Sequence, residues 1–222
     1  VIPLRVTAHL CAAGGALALP DGYLHLDSLL ASSVALRDGL PPAQDASEIL
    51  PIEIPVEREP AGRFHLCSAS VVAMEAHALK YVNRRFPVAE AQAIAVPSLR
   101  RINIASGAQK SYRIPMETSR STGDRLSFYL VGDRDEIADL LSLVTHLGKR
   151  RGVGLGRLER WEVKEEGEPW HGFPVLAPDG AALRHLPLDW TGLGAHLPRY
   201  GRLSYPYWLK TGEIEIAAPI PC

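Results

Sequence analysis

Apolar and polar residues alternate at the start of the chain, with Leu4, Val6, Ala8 and Leu10 set against Arg5, Thr7 and His9. A period of two puts one set on a buried face and predicts a half-buried first strand. Gly14-Gly15 and Pro20-Asp21-Gly22 mark a loop and a turn. Asp27 is placed to cap a helix running to about Arg37, with Leu26, Leu29, Leu30 and Val34 facing inward and Gly39 with Pro41-Pro42 ending it. Residues 41–62, rich in Pro and acidic side chains, predict an irregular connection with a short extended piece near Ile52. Phe64 and Leu66 suggest a second strand over 63–72, with a helix starting near Ser70 as the competing reading. Residues 73–125 contain Pro87, Pro97 and Pro115 and few long periodic runs, so an insertion with extended segments and a hairpin around Ser106-Gly107 is expected.

Alternation returns at Leu126, Phe128 and Leu130, against Ser127, Tyr129 and Val131, and predicts another strand. Asp133 with Glu136 three residues on forms a capping box, and Ile137, Leu140, Leu141, Val144 and Leu147 fall on one helical face that Gly148 would terminate. A glycine-rich stretch and a strand through Val163 follow. Residues 164–222, with many Pro, Gly and Trp, read as a loop-rich extension with one alternating strand at 213–217. The order β-α-β-β-α-β is that of an α+β, ferredoxin-like domain, with two helices on one face of an antiparallel sheet and the other face free. The expected organisation is a domain over 1–163 carrying an insertion at 73–125, and an extension over 164–222 packed on the same domain.

Composition alters this picture little. The 222 residues are 46% hydrophobic and 22% charged, so a globally disordered chain is excluded and one large or two small domains fit. Cys11, Cys67 and Cys222 form no CxxC pair, which excludes a zinc ribbon or thioredoxin-type motif and argues against a disulfide framework. No run of about 18 apolar residues predicts a transmembrane helix, and Val1-Ile2-Pro3-Leu4-Arg5 does not read as a signal peptide. The expectation is a cytoplasmic protein with no membrane partner.

Charge alters it more. The formal net charge is −1, yet residues 80–125 hold nine basic residues (Lys80, Arg84, Arg85, Arg100, Arg101, Lys110, Arg113, Arg120 and Arg125) against three acidic ones. Residues 148–160 hold five basic residues against one acidic. Acidic flanks cancel these two segments. Arginine dominates both, and guanidinium groups fork onto phosphate oxygens and stack on bases, which suits RNA. A solvated charged face would give the same counts, but the glycine-rich or irregular setting of both segments favours binding.

The sharpest local feature is Gly148-Lys149-Arg150-Arg151-Gly152-Val153-Gly154-Leu155-Gly156-Arg157. Glycines let backbone N–H groups approach a phosphate closely, and the cations supply charge. No GxxxxGK[ST] string exists, and the dinucleotide fingerprint needs strand before helix, whereas here a helix precedes and a strand follows. No nucleotide cofactor is therefore expected. Without HxH or HxxxH spacing, no metal site is expected either.

A helix ending in Gly-Lys-x-Arg-Gly-x-Gly-x-Gly, followed by a strand with Trp161, resembles the C-terminal glycine-rich loop of the CRISPR-associated RAMP superfamily. The segment from Leu130-Val131-Gly132-Asp133 through Val163 is similar to one branch, the small handle-binding subunit of type IV CRISPR effector complexes, in the Cas-five group. The opening strand, the Leu24–Leu30 string LHLDSLL and the Pro51–Pro55 string PIEIP fit that branch too. The resemblance spans roughly 1–163 and is strongest over 126–163.

The resemblance implies a ferredoxin-like fold and a role in antiviral defence. The protein would bind CRISPR RNA, cap its 5′ handle, and contact a backbone subunit and a large subunit, with target DNA engaged indirectly. The insertion would act as a thumb-like grip. The expected RNA-binding residues are Lys149, Arg150, Arg151, Gly152, Gly154 and Arg157 in the loop, and Arg84, Arg85, Arg100, Arg101, Lys110, Tyr112 and Arg113 in the insertion. Tyr112, between Lys110 and Arg113, is the stacking candidate, whereas Trp161, Trp170, Trp190, Trp208, Tyr205 and Tyr207 read mainly as core or subunit contacts.

Some RAMP proteins cut precursor RNA without metal, using a base on the 2′-hydroxyl and an acid on the leaving oxygen. His9, His25, His65, His77, His146, Tyr23 and Tyr112 are the candidates, with His25 and Tyr23 the best pair. No spacing forces them together, so the expectation is a non-catalytic subunit, with endoribonuclease activity as the alternative.

Overall fold

The first strand, β1 (Ile2–Leu10), lies at the centre of a three-stranded sheet. It pairs antiparallel with β4 (Arg125–Gly132) on one side and with β5 (Leu158–Glu165) on the other. Val6 sits opposite both Phe128 and Val163. Leu4, Val6 and Ala8 are buried in one cluster with Leu126, Phe128 and Leu130, with Leu26 and Leu30 of α1 (Leu26–Arg37), and with Ile137, Leu140 and Leu141 of α2 (Arg134–Ser142). Both helices therefore cover the same face of the sheet. Burying a Leu or Phe this completely contributes about 1.5–3 kcal/mol each relative to exposure, and this cluster is the principal core.

The computed structural model describes residues 1–12, 16–19, 21–40, 52–70, 74–84, 103, 105–106, 110–149 and 151–220. Within them the fold is α+β, with mostly antiparallel sheets and two helices. Among the described residues no helix is long and apolar enough to cross a membrane.

Three local expectations are corrected. Of the strand expected over 63–72, residues 71–72 lie outside the described residues, and 63–70 form a series of isolated bridges. Cys67 bridges to Leu130, Arg58 to His65, and Ser68 N–H donates to the Tyr129 carbonyl at 2.7 Å while Ala69 N–H turns to the Leu183 carbonyl at 2.6 Å. The backbone groups are divided among several partners, so no continuous ladder forms, although the segment still lies along the free side of β4.

Asp27 does not cap α1. His25 holds the cap position, while Asp27 lies inside the first turn, fully buried. The second helix does not reach Gly148. It is capped at Asp133, whose carboxylate accepts from Asp135 N–H and Glu136 N–H, and it ends at Ser142. The apolar period continues through Val144 and Leu147, but Leu147 enters the core from extended chain. Its N–H donates to the Gly156 carbonyl at 2.8 Å, and the Thr145 carbonyl accepts from Leu158 N–H at 2.9 Å. Pairing with the start of β5 replaces the last helical turns.

The extension builds its own sheet in the order β6-β8-β7, from β6 (Leu186–Pro187), β7 (Leu197–Gly201) and β8 (Ile214–Ala218), over a second core of Phe64, Val175, Leu176, Ala182, Leu186 and Ala217. The second face of the first sheet, expected to be free, is partly covered: Tyr129 meets the rings of Trp170 at 4.9 Å and Phe173 at 5.8 Å.

The chain divides into two compact units, residues 1–76 with 119–222, and residues 77–118. The smaller unit is carried by β2 (Met74–Arg84) and β3 (Tyr112–Ser121), which pair as a two-stranded sheet. Of the turn expected at Ser106-Gly107, Gly107 lies outside the described residues.

Candidate functional site

The glycine-rich segment is a pinned loop rather than a slack turn. At its base, Lys149 N–H donates to the Ala18 carbonyl at 3.0 Å and Gly156 N–H to the Ala16 carbonyl at 2.9 Å. The glycines divide into two kinds. Gly156 has φ +67°, and a Cβ there would collide with the Leu147 carbonyl; Gly148 has φ +74°, and its Cβ would lie 2.9 Å from the Ala18 carbonyl oxygen. These two let strands of backbone touch. Gly152 and Gly154 have nothing within 4 Å of the place a Cβ would take. They are exposed, and close packing within the chain requires neither, although Gly154, at φ +83°, has a backbone conformation that favours glycine.

Lys149, Arg151 and Arg157 are exposed, and none is in an ion pair among the described residues. Arg157 belongs to the backbone pairing at the loop base, where it bridges to His146. Lys149 and Arg151 instead line a cavity of about 490 Å³ that lies between the loop and α1. Ser28, Ser32 and Leu36 of α1 form one wall, and Tyr23, His25, Tyr207 and Trp208 form another.

That aromatic wall is tightly specified. The His25 ring stacks on Tyr207 with centroids 3.8 Å apart and meets the His185 ring edge-on at 4.4 Å. The Tyr207 hydroxyl donates to the Asp27 carboxylate at 2.8 Å. His185 Nδ1 faces the Arg202 carbonyl at 2.8 Å, so Nδ1 carries the proton and Nε2 accepts from the Tyr23 hydroxyl, also at 2.8 Å. Burial holds His185 at about 4 and pushes the Tyr23 phenol up to about 12. Burial, then the charges of neighbouring His185 and Arg184, drive His25 well below its ordinary value. Both imidazoles are therefore neutral near pH 7. The rings of His25 and Tyr23 come within 5.4 Å of each other, but the Tyr23 hydroxyl is bonded to His185, not to His25.

The other expected site residues lie in the smaller unit or outside the description. In the smaller unit, the Arg113 guanidinium lies 3.9 Å over the Tyr81 ring, with Lys80, Lys110 and Ile114 exposed and Tyr112 half-buried. Arg84 ends β2, and nothing is described of its side chain; Arg85, Arg100, Arg101 and Arg150 lie outside the described residues. Trp208, which the sequence suggests as a core or contact residue, is 61% exposed and lies at the cavity wall. A Tyr-Pro-Tyr-Trp run is visible in the sequence, but no local pattern places it beside a loop some fifty residues earlier.

These features define an α+β protein with a cationic glycine loop over an aromatic-walled cavity. Residues 80–219, more than half of the chain, match the family described as CRISPR type IV associated protein Csf3. The chain belongs to that family and is a type IV CRISPR-associated protein. No curated protein matches it.

Proposed function

We propose that the chain is the small RAMP subunit, of the Cas-five group, that binds CRISPR RNA and caps its 5′ handle in a type IV effector complex. The observation that carries this reading is the glycine loop: Gly152 and Gly154 leave open backbone beside Lys149 and Arg151, neither of which is in an ion pair among the described residues. A phosphate backbone needs that combination of close approach and cationic charge. Family membership supports the setting. The strand order β5-β1-β4, with residues 65–69 lying along β4 and both helices on one face, supports a ferredoxin-like domain. The smaller unit, with Arg113 over Tyr81 and exposed Lys80 and Lys110, serves as the thumb.

In this reading the chain binds RNA and does not cut it. His25 is too weakly basic, and Tyr23 too weakly acidic, to share protons with a 2′-hydroxyl near pH 7. The backbone and large subunits are its protein neighbours, and target DNA is met only through the assembled complex.

The test is titration of a labelled guide RNA, carrying its repeat-derived 5′ end, with the wild type and with Lys149→Glu/Arg151→Glu at several salt concentrations. The double variant is expected to bind at least about tenfold more weakly, and to lower the salt slope by roughly one per lost phosphate contact. Equal affinity, or binding indifferent to salt, would overturn the reading. Wild-type protein that cleaves precursor RNA, with cleavage lost in His25→Ala, would replace it with the endoribonuclease.

A further inference from the structure

We propose that the cavity beside the glycine loop receives one unstacked nucleotide of the bound RNA, its base lying on Trp208 and its phosphate on Lys149 and Arg151. This rests on the RNA-binding reading above and adds a base subsite to it, which gives the C-terminal extension a role in recognition.

Four observations converge. The cavity is about 490 Å³, within the roughly 300–1,000 Å³ of sites that hold a single small ligand. Its two flanks differ in chemistry: Lys149 and Arg151 on the loop side, aromatic rings on the other, and the one carboxylate among the described lining residues, Asp21, is paired with Arg199 at 3.2 Å. A nucleotide has the same division, an anionic phosphate joined to a flat π-face. Third, Trp208 is a large apolar side chain left 61% exposed beside those cations. Single-stranded RNA is commonly held by a base stacked on such a ring.

Fourth, Trp208 is held where it is by its neighbour. One face of Tyr207 is taken by His25, and its hydroxyl is bonded to the buried Asp27. Tyr207 is therefore an anchor and a positioning residue, and it fixes the place of the adjacent Trp208 at the cavity wall. Ser28 and Ser32 on the α1 wall add hydroxyls near the space a base edge or ribose would fill.

The experiment compares Trp208→Ala, Trp208→Phe and Lys149→Glu/Arg151→Glu, each first shown to melt as the wild type does. The probe is the labelled guide RNA, together with a set in which each nucleotide of the 5′ end is made abasic in turn. Trp208→Ala is expected to lose about five- to hundredfold in affinity, with Trp208→Phe between it and wild type. One abasic position should weaken wild type by a similar factor and leave Trp208→Ala no weaker than it already is. If Trp208→Ala binds like wild type while the charge variant is weakened, the base subsite is overturned and the RNA-binding reading stands. The base subsite is likewise overturned if every abasic position weakens wild type and Trp208→Ala equally. If neither the Trp208 nor the charge variant changes affinity, both readings fall.

Discussion

Asp27 and Arg184, 157 residues apart, form an ion pair of 3.5 Å with both side chains fully withdrawn from solvent. Arg184 also donates to the carbonyls of His65, Cys67, Leu203 and His185 and to the Tyr207 hydroxyl, and its guanidinium lies 4.4 Å over Phe64. All its nitrogens are engaged, which is what makes a buried cation tolerable. One side chain thus joins α1, the segment beside β4, and the C-terminal extension. It also fixes Asp27, and through Asp27 the Tyr207 hydroxyl and the aromatic wall of the cavity.

Arg184→Met leaves the Asp27 carboxylate buried without its cation and several carbonyls without a donor. The expected cost is about 3–5 kcal/mol. Adding Asp27→Asn removes the orphaned charge, so the double variant should be destabilised by roughly 1–3 kcal/mol less than the two single losses combined. Urea unfolding of the four proteins measures this. A single-variant loss below about 1 kcal/mol would mean that the pair behaves like a solvent-exposed one.

How far these relationships were legible in the sequence depends on their range. The alternation of Leu4, Val6 and Ala8 and of Leu126, Phe128 and Leu130 announced β1 and β4, because one buried face imposes a period of two. The cap at Asp133 was legible for the same local reason. The end of α2 was not: Val144 and Leu147 satisfy a helical period and a buried extended chain equally, and the choice is made by pairing with Gly156 and Leu158. Asp27 looked like a cap because its partner, Arg184, lies in another part of the chain. At the site, Lys149 and Arg151 were visible as charge, whereas the Tyr207–Trp208 wall depends on a stack with His25 that no spacing encodes.

The buried histidines make stability depend on pH. His185 sits at about 4 in the folded chain against 6.5 when free, because burial disfavours its charged form. His65 is held at about 4 by burial in the same way. As pH falls below 6.5 the unfolded chain takes up protons that the folded chain refuses, so stability is full above that value and declines toward pH 4. The whole shift for His185 is worth on the order of 3 kcal/mol. Denaturant melts between pH 7.5 and 5 should show the midpoint nearly level down to about 6.5 and falling from there to 5. A midpoint that stays level from 6.5 to 5 would show that these rings are solvated.

The two kinds of loop glycine should separate on substitution. Gly156→Ala puts a Cβ against the Leu147 carbonyl at a positive φ, with an expected loss of at least about 2 kcal/mol. Gly152→Ala meets open space, and its fold should be unaffected within about 0.5 kcal/mol. If Gly152 serves a ligand, its Ala variant will instead weaken RNA binding at unchanged stability. Melting and RNA titration of both variants give the comparison. Equal melting temperatures for the two would contradict the division.

The smaller unit offers the cleanest separation of binding from folding. Residues 77–118 form their own compact body, and Lys80, Tyr81 and Arg113 are exposed on it. Arg113 lies on the Tyr81 ring, an arrangement that keeps a guanidinium extended and leaves its N–H edge for an acceptor. Charge reversal by Lys80→Glu/Arg113→Glu removes no buried contact, so the shift in unfolding free energy should stay within about 0.5 kcal/mol. Affinity for guide RNA should drop several-fold at low salt, and the difference from wild type should shrink as salt is raised, since screening weakens an exposed charge contact first. Fluorescence anisotropy across a salt series reads both quantities. An affinity loss that persists undiminished at high salt would point to a contact that is not ionic, and unchanged affinity at every salt would remove the thumb from the RNA path.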